Sequence, residues 1–309
     1  MKRRCVLFNG RTGCYLEKMK TLGRLVIVLS LLFFASGLRA ESKSAEADLD
    51  ALESQVKKAR ETDYSQVIAE IDKAAATPQA AQSFFFECVQ KLDFRRDLDV
   101  PGKFENWKRD FLAQWRGHEL GLVLQMQLQY QSLVLRTAVN KDKDARLKLV
   151  PQWLHFAETI VDHAKEAAYG AAFLAQPING SIFNKALKLQ QMAGMEGFSV
   201  GAMDIGRIFD TYIHPYVKKE SRANAWQKHI ELQKRFSEIV LLPTELDDFT
   251  NYELPRLQFR GLMDVKFSDG EKDPAAVKEV AQFIQQHIHH PDARQWVDIL
   301  RATSVKKPE

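Results

Sequence analysis

Cysteine is nearly missing from this chain: there are three among 309 residues, Cys5, Cys14 and Cys88. Only Cys88 lies beyond residue 40, so the remainder cannot form an intrachain disulfide and must be stabilised by packing. Within Phe84-Phe85-Phe86-Glu87-Cys88-Val89, that thiol reads as buried and inert rather than nucleophilic. Convincing strand-like runs are also lacking, which argues against a parallel sheet and the enzymes built on one. There is no Walker loop, Rossmann glycine fingerprint, H-E-x-x-H, C-x-x-C or Glu-x-x-His pair, so no cofactor or metal is expected from motifs. The longest apolar run, Leu25 to Ala35, is eleven residues, well short of the roughly 20 that span a bilayer as a helix.

That run has the setting of an export signal. Met19-Lys20-Thr21-Leu22-Gly23-Arg24 supplies a positive start, Leu25 to Ala35 the apolar segment, and Ser36 to Ala40 the cleavage region. Residues 1–40 are therefore expected to be a signal peptide with its true start at Met19. Cleavage is expected between Ala40 and Glu41, with cleavage after Gly37 as the alternative. No cysteine follows to carry a lipid, and no stable membrane span is expected after cleavage.

Charge changes sign with that leader. The whole chain carries a formal +4, but residues 1–40 hold eight Lys/Arg and one acid, so the rest carries −3. The apparent basicity argues for a targeting segment and against a nucleic-acid partner, which would need a general positive excess. Scarce cysteine in an exported chain favours the bacterial periplasm; in a eukaryotic route Asn179-Gly180-Ser181 would be a glycosylation sequon.

With 45% apolar and 27% charged residues, the chain has the composition of a folded protein with a large core, and its periodicity is helical. The spacing predicts an all-α protein, an irregular array of helical hairpins resembling a bundle or a helical repeat. Residues 41–77 read as an N-terminal polar hairpin with Ala45, Leu49, Leu52, Val56 and Ala59 on one stripe and Tyr64, Val67, Ile68 and Ile71 continuing it. Residues 78–176 read as a central helical region and 177–309 as a C-terminal array. Within the centre, Phe104 to Arg136 has no proline and carries two apolar stripes, Leu120/Leu124/Leu128/Leu135 and Leu122/Met126/Tyr130/Val134. This marks a helix packed on two sides, with 79–94 and 151–168 as neighbours and Trp107, Trp115 and Leu124 in the core; Gly117 is a candidate break. Its Leu-Gln alternation from Leu124 to Tyr130 has a strand period, but Leu, Met and Gln favour helix.

Polar caps and punctuation follow: Asp204, Ser221, Thr244 with Asp247, and Asp273-Pro274 are expected to start helices. Asn140 to Asp144 imitates a calcium loop, but Ala145 stands where glycine is needed and Pro151 where the closing glutamate is needed. His155, Glu158, Asp162 and Glu166 read as a solvated helix face.

Two stretches hint at chemistry. Gly197-Phe198-Ser199-Val200-Gly201 matches the G-x-S-x-G of a nucleophile elbow, with Asp247, Asp248, Asp264 and then His287, His289 following in hydrolase order. The elbow needs a strand before it, and Lys185 to Gln191 reads as helix. His287-Ile288-His289-His290 places His287 and His290 on one helix face, two of the three or four ligands a metal site requires, with Asp292 nearby.

The last fifty residues have the clearest unit structure: helices expected over 255–267, 274–289 and from 291. Phe259-x2-Leu262, with Ala275 at the small position of the second helix, resembles a degenerate tetratricopeptide unit over residues 255–302. Met263, Lys266 and Glu279 stand where that family carries glycine, tyrosine and phenylalanine, and no 34-residue period recurs upstream. The resemblance implies stacked hairpins and a groove for protein or peptide. A non-catalytic binding or scaffold role is the expectation, with no catalytic residues; a Ser199 hydrolase and a His287–His290 metal protein are the alternatives.

Overall fold

The computed structural model describes residues 64–92, 102–179, 182, 200–268 and 273–304. All of them belong to one compact unit, Arg60–Glu309. The expected signal segment, residues 41–63, the expected helix over Lys185 to Gln191, the turn at Asp269-Gly270 and Ser199 itself lie outside the described residues.

Among the described residues the fold is all-α, without a strand. The helices are α1 (64–74), α2 (Pro78–Leu92), α3 (Lys103–Ala113), α4 (Leu120–Val139), α5 (Lys143–Leu147), α6 (Val150–Asp162) and α7 (Ala164–Leu174). After them come α8 (Ile205–Ile208), α9 (Arg222–Val240), α10 (Pro243–Asp248), α11 (Leu254–Phe267), α12 (Pro274–Gln286) and α13 (Ala293–Ser304). No described helix is long and apolar enough to cross a membrane.

The segment from Phe104 to Arg136 is two helices, not one. The first ends at Ala113, and within the 114–119 link Gly117 turns the chain at φ 88°, a conformation that a side chain would disfavour. Glu166 fastens this link by accepting the Glu119 N–H at 2.9 Å, and the His118 ring stacks on Tyr169 at 3.7 Å. The second half, α4, is the axis of the main core. Leu124 and Met126 have no exposed surface, and Leu120, Leu128, Tyr130 and Leu135 are buried on its other flanks. It packs against α2, α6 and α7, the neighbours expected from sequence. Gly121 allows the close crossing with α2, since a Cβ there would lie 2.6 Å from the Pro78 carbonyl oxygen.

On a helix the Leu-Gln alternation places Gln125 and Gln129 on the least buried strip, where Gln125 Nε2 donates to the Ala75 carbonyl at 2.9 Å. Trp115 and Leu124 are core as expected, at 3% and 0% exposure, whereas Trp107 is only half-buried. The 151–168 helix is split at His163, and Trp153 rather than Leu154 enters the core, stacked on Tyr212 at 4.1 Å and donating to Thr137 Oγ1 at 3.1 Å. The expected solvated face holds for His155 and Asp162, which stay exposed, while Glu166 is largely enclosed; α9 adds surface ion pairs, Lys228 with Glu158 at 3.0 Å and Arg235 with Asp162 at 3.2 Å.

The expected caps Asp204 and Asp273 each accept a backbone N–H of the following turn, and Asp142, in the charged turn where no cap was expected, does so as well. Ser221 makes no such bond, because α9 is entered from a 3₁₀ turn, Lys219–Ser221, that already directs the chain. At α10 the reciprocal bond runs from the Leu242 N–H to Glu245 at 3.1 Å, not between Thr244 and Asp247.

Two π-turns share a local cause. Phe209–Ile213 and Phe249–Glu253 each close with an N–H bonding the carbonyl five residues back, His214 to Phe209 and Leu254 to Phe249. Each is followed at once by proline, Pro215 or Pro255. Proline has no N–H and its ring crowds the carbonyl four residues earlier, and a widened turn relieves that clash. Both stretches read Phe-x2-Tyr-x2-Pro, forty residues apart. The second π-turn carries α10 into α11 with helical backbone angles at Phe249 and Leu254.

Helices α11, α12 and α13 gather a second, smaller core of Phe259, Phe267, Ala276, Val280, Ile284, Trp296 and Leu300. Phe259 stacks on Trp296 at 4.8 Å. The buried small residue of α12 is Ala276; Ala275 is exposed.

Candidate functional site

A groove of about 900 Å³ lies between α9, α11 and α12. Each helix presents one face at spacings of three and four. α9 contributes Ala223, Trp226, Gln227 and Ile230. α11 contributes Gln258, Gly261, Leu262, Val265 and Lys266, and α12 contributes Glu279, Gln282, Phe283, Gln286 and His287. The floor is apolar and the rims carry four glutamine amides. Lys266 and Glu279, where the tetratricopeptide pattern carries Tyr and Phe, bond to one another at 2.6 Å across α11 and α12. This ion pair ties α11 to α12 within the groove lining.

Trp226 sets the groove's depth. It is 3% exposed, and Gly261 lets α11 approach its indole so closely that a Cβ would sit 3.1 Å from the ring. Its Nε1–H donates to Asp264 Oδ2 at 2.9 Å, and His214 Nε2 bonds the same oxygen at 2.9 Å. Burial pushes the Asp264 carboxyl upward, but the Trp226 and His214 hydrogen bonds and the nearby His214 and Arg222 charges outweigh it and hold it below the usual carboxylate range. Arg260 lies 5.4 Å from the indole centroid and forks onto Asp210 at 2.8 and 3.0 Å.

Behind this layer the Phe209 ring packs between Trp226, 4.7 Å away, and His229, stacked at 4.0 Å. His229 is 2% exposed, and burial lowers its pKa to about 4, against the smaller upward pull of Asp210. It is neutral at pH 7, an aromatic packing group rather than a general base.

The residues singled out by sequence have other roles. Val200 and Gly201, the described end of the G-x-S-x-G match, begin a 3₁₀ turn with Gly201 against the Arg207 side chain. Asp264 partners His214 and Trp226, not His287 or His289. In the histidine tract, His290 is buried with both ring nitrogens engaged, Nε2 with the Tyr252 carbonyl at 3.0 Å and Nδ1 with the Asp292 N–H at 3.1 Å. Arg256 grips Asp292 at 2.5 Å, which holds that carboxyl below its usual range and raises the guanidinium. His287 Nδ1 bonds the Phe283 carbonyl at 2.9 Å. The tract locks α12 to the π-turn below it, and among the described residues no three His, Cys, Asp or Glu side chains gather as a metal site. Asn179 Nδ2, the sequon nitrogen, is turned inward onto the Phe173 carbonyl and Gln176.

The Trp226 clamp was not legible in the sequence. His214 and Asp264 are fifty residues apart and carry no local signal, whereas the repeated Phe-x2-Tyr-x2-Pro was available and marks both π-turns.

These features define an all-α protein with a side groove between α9, α11 and α12. No protein-family model matches the chain, no curated protein is similar to it, and no solved structure matches its fold.

Proposed function

We propose that this protein is an exported, non-catalytic helical binding or scaffold protein that holds a segment of a protein partner in the α9–α11–α12 groove. The observation that carries the reading is the lining: an apolar floor of Trp226, Leu262, Val265 and Phe283 with glutamine rims and a self-neutralised ion pair. Such a surface suits a protein segment that buries apolar side chains and satisfies its polar edge with amides. The tetratricopeptide-like spacing over 255–302 supports the same reading, because stacked hairpins leave grooves of this kind. Export rests on the Met19 to Ala40 signal pattern, with the periplasm as destination.

A photoreactive amino acid at Gln258 or Gln282 tests the binding role in the native host. A defined protein adduct at both groove positions, and none at exposed Glu231 on the outer side of α9, is expected; equal labelling at all three would sink it. Export is tested by N-terminal sequencing of the native protein, which should begin at Glu41, or at Leu38 if cleavage follows Gly37. An intact Met1 or Met19 start would refute it.

A further inference from the structure

We propose that Arg260 and Asp264 of α11, engaged with Asp210 and His214 at the first π-turn, form an acid-released latch that holds the α11–α13 unit on the body of the protein. The inference goes beyond the binding role proposed above, because it concerns the joint that carries α11 and not what the groove holds.

The unit is braced internally and meets the body along α11. Helices α12 and α13 share a core with α11, and three polar contacts tie them together: Lys266 with Glu279 at 2.6 Å, Arg256 with Asp292 at 2.5 Å, and His290 with the Tyr252 carbonyl at 3.0 Å. Toward α9 and the main core, α11 presents Gly261 against the Trp226 indole and the half-buried Leu257 and Val265. Gly261 adds no side chain to this contact, and the other two keep part of their surface in water. Polar pairs across the joint therefore matter to the hold.

Those pairs are matched in spacing. Arg260 and Asp264 stand one turn apart on α11, and Asp210 and His214 stand four residues apart on the facing segment. Arg260 forks onto Asp210 at 2.8 and 3.0 Å, while Asp264 Oδ2 meets His214 Nε2 at 2.9 Å and accepts the Trp226 Nε1–H at 2.9 Å. One carboxylate oxygen thus joins α11 to both α9 and the π-turn. A charged acceptor makes bonds about twice as strong as a neutral one, so a proton on Asp264 weakens both together.

The sign follows from where the partners sit. Burial works against the Asp264 charge, but the Trp226 and His214 bonds, with the His214 and Arg222 charges, hold its pKa below the ordinary carboxylate range. All three partners belong to the body and are lost on release. Docking is therefore favoured above that range and lost as pH falls beneath it. His214 only tightens its bond by taking up a proton, so the carboxylate is the releasing group. At the other pair, His229 lies behind Phe209, and burial keeps it neutral to about pH 4. Once charged, it draws Asp210 and repels Arg260, which loosens the same joint.

Distances between nitroxide labels at exposed Lys165 of α7 and Gln295 of α13 test the latch, in a chain with Cys5, Cys14 and Cys88 replaced by alanine. A second label pair, at Glu105 of α3 and Lys165, reports on the body alone. Between pH 7 and about pH 3 the first distance should lengthen by one helix diameter, about 10 Å, while the second stays fixed. Asp264→Asn, which keeps the shape and removes the charge, should raise the long-distance population at pH 7 at least threefold. Asp298→Asn, on the exposed side of α13, should not. A first distance that holds constant to pH 3, a change of both distances together, or an Asp264→Asn chain that behaves like Asp298→Asn would overturn the latch.

Discussion

Single residues decide how α11 meets α9. Gly261 is needed because the Trp226 indole fills the space a side chain would take. Gly261→Val should cost about 1–3 kcal/mol of stability by overpacking and should alter the near-ultraviolet tryptophan signal, checked by urea denaturation and circular dichroism. His229 sets a pH limit. Its folded pKa of about 4 lies below the unfolded 6.5, so as pH falls through that window the unfolded chain takes up the proton first and stability drops. The loss should reach roughly 3 kcal/mol near the lower end, since each unit is worth about 1.4 kcal/mol. His229→Phe, which keeps a ring against Phe209, should flatten the stability curve between pH 6.5 and 4. An unchanged slope would show that His229 is not the responsible group. Asp264 and Asp292, both held below their ordinary range, act lower: their contribution is present above the usual carboxylate pKa and is lost as pH falls beneath it.

At the scale of elements, α4 is the one on which the main core is built. Leu124→Ala should cost about 2–5 kcal/mol in urea denaturation, because the side chain has no exposed surface and its removal leaves a cavity in the main core. A loss below half a kilocalorie would contradict its central place. The helical state of α4 was legible because it follows from local preference: leucine, methionine and glutamine outweigh a strand-like alternation. Gly117 also marked its candidate break, but the contacts that fasten the link there, Glu166 and Tyr169 of α7, were not legible because they come from a separate helix. On the same side of α6 and α7 the solvated reading holds for His155 and Asp162, which stay exposed, and fails for Glu166, which is drawn onto the 114–119 link.

For the whole molecule, two cores of unequal size meet where Trp226 packs against α11. The smaller one, around Phe259 and Trp296, should open at lower free energy than the larger. Native-state hydrogen exchange should find the slowest amides in α4 and at least tenfold faster exchange in α12 and α13. Equal protection would mean that the two cores form one cooperative unit.

Helical class, the aspartate caps and the proline-marked starts were determined by the sequence alone, because each depends on a residue and its neighbours within one or two turns. The inward-facing Ile71, Phe85, Val89 and Ile160 belong here too, since helical periodicity puts them on one face. Only the tertiary structure decided that His214 and Asp264 share a bond with Trp226, that His290 serves Tyr252 rather than a metal, and that α9, α11 and α12 enclose a groove. Those contacts join side chains from separate helices, and their geometry is set by crossing angles and close-approach glycines that leave no periodic mark on the chain.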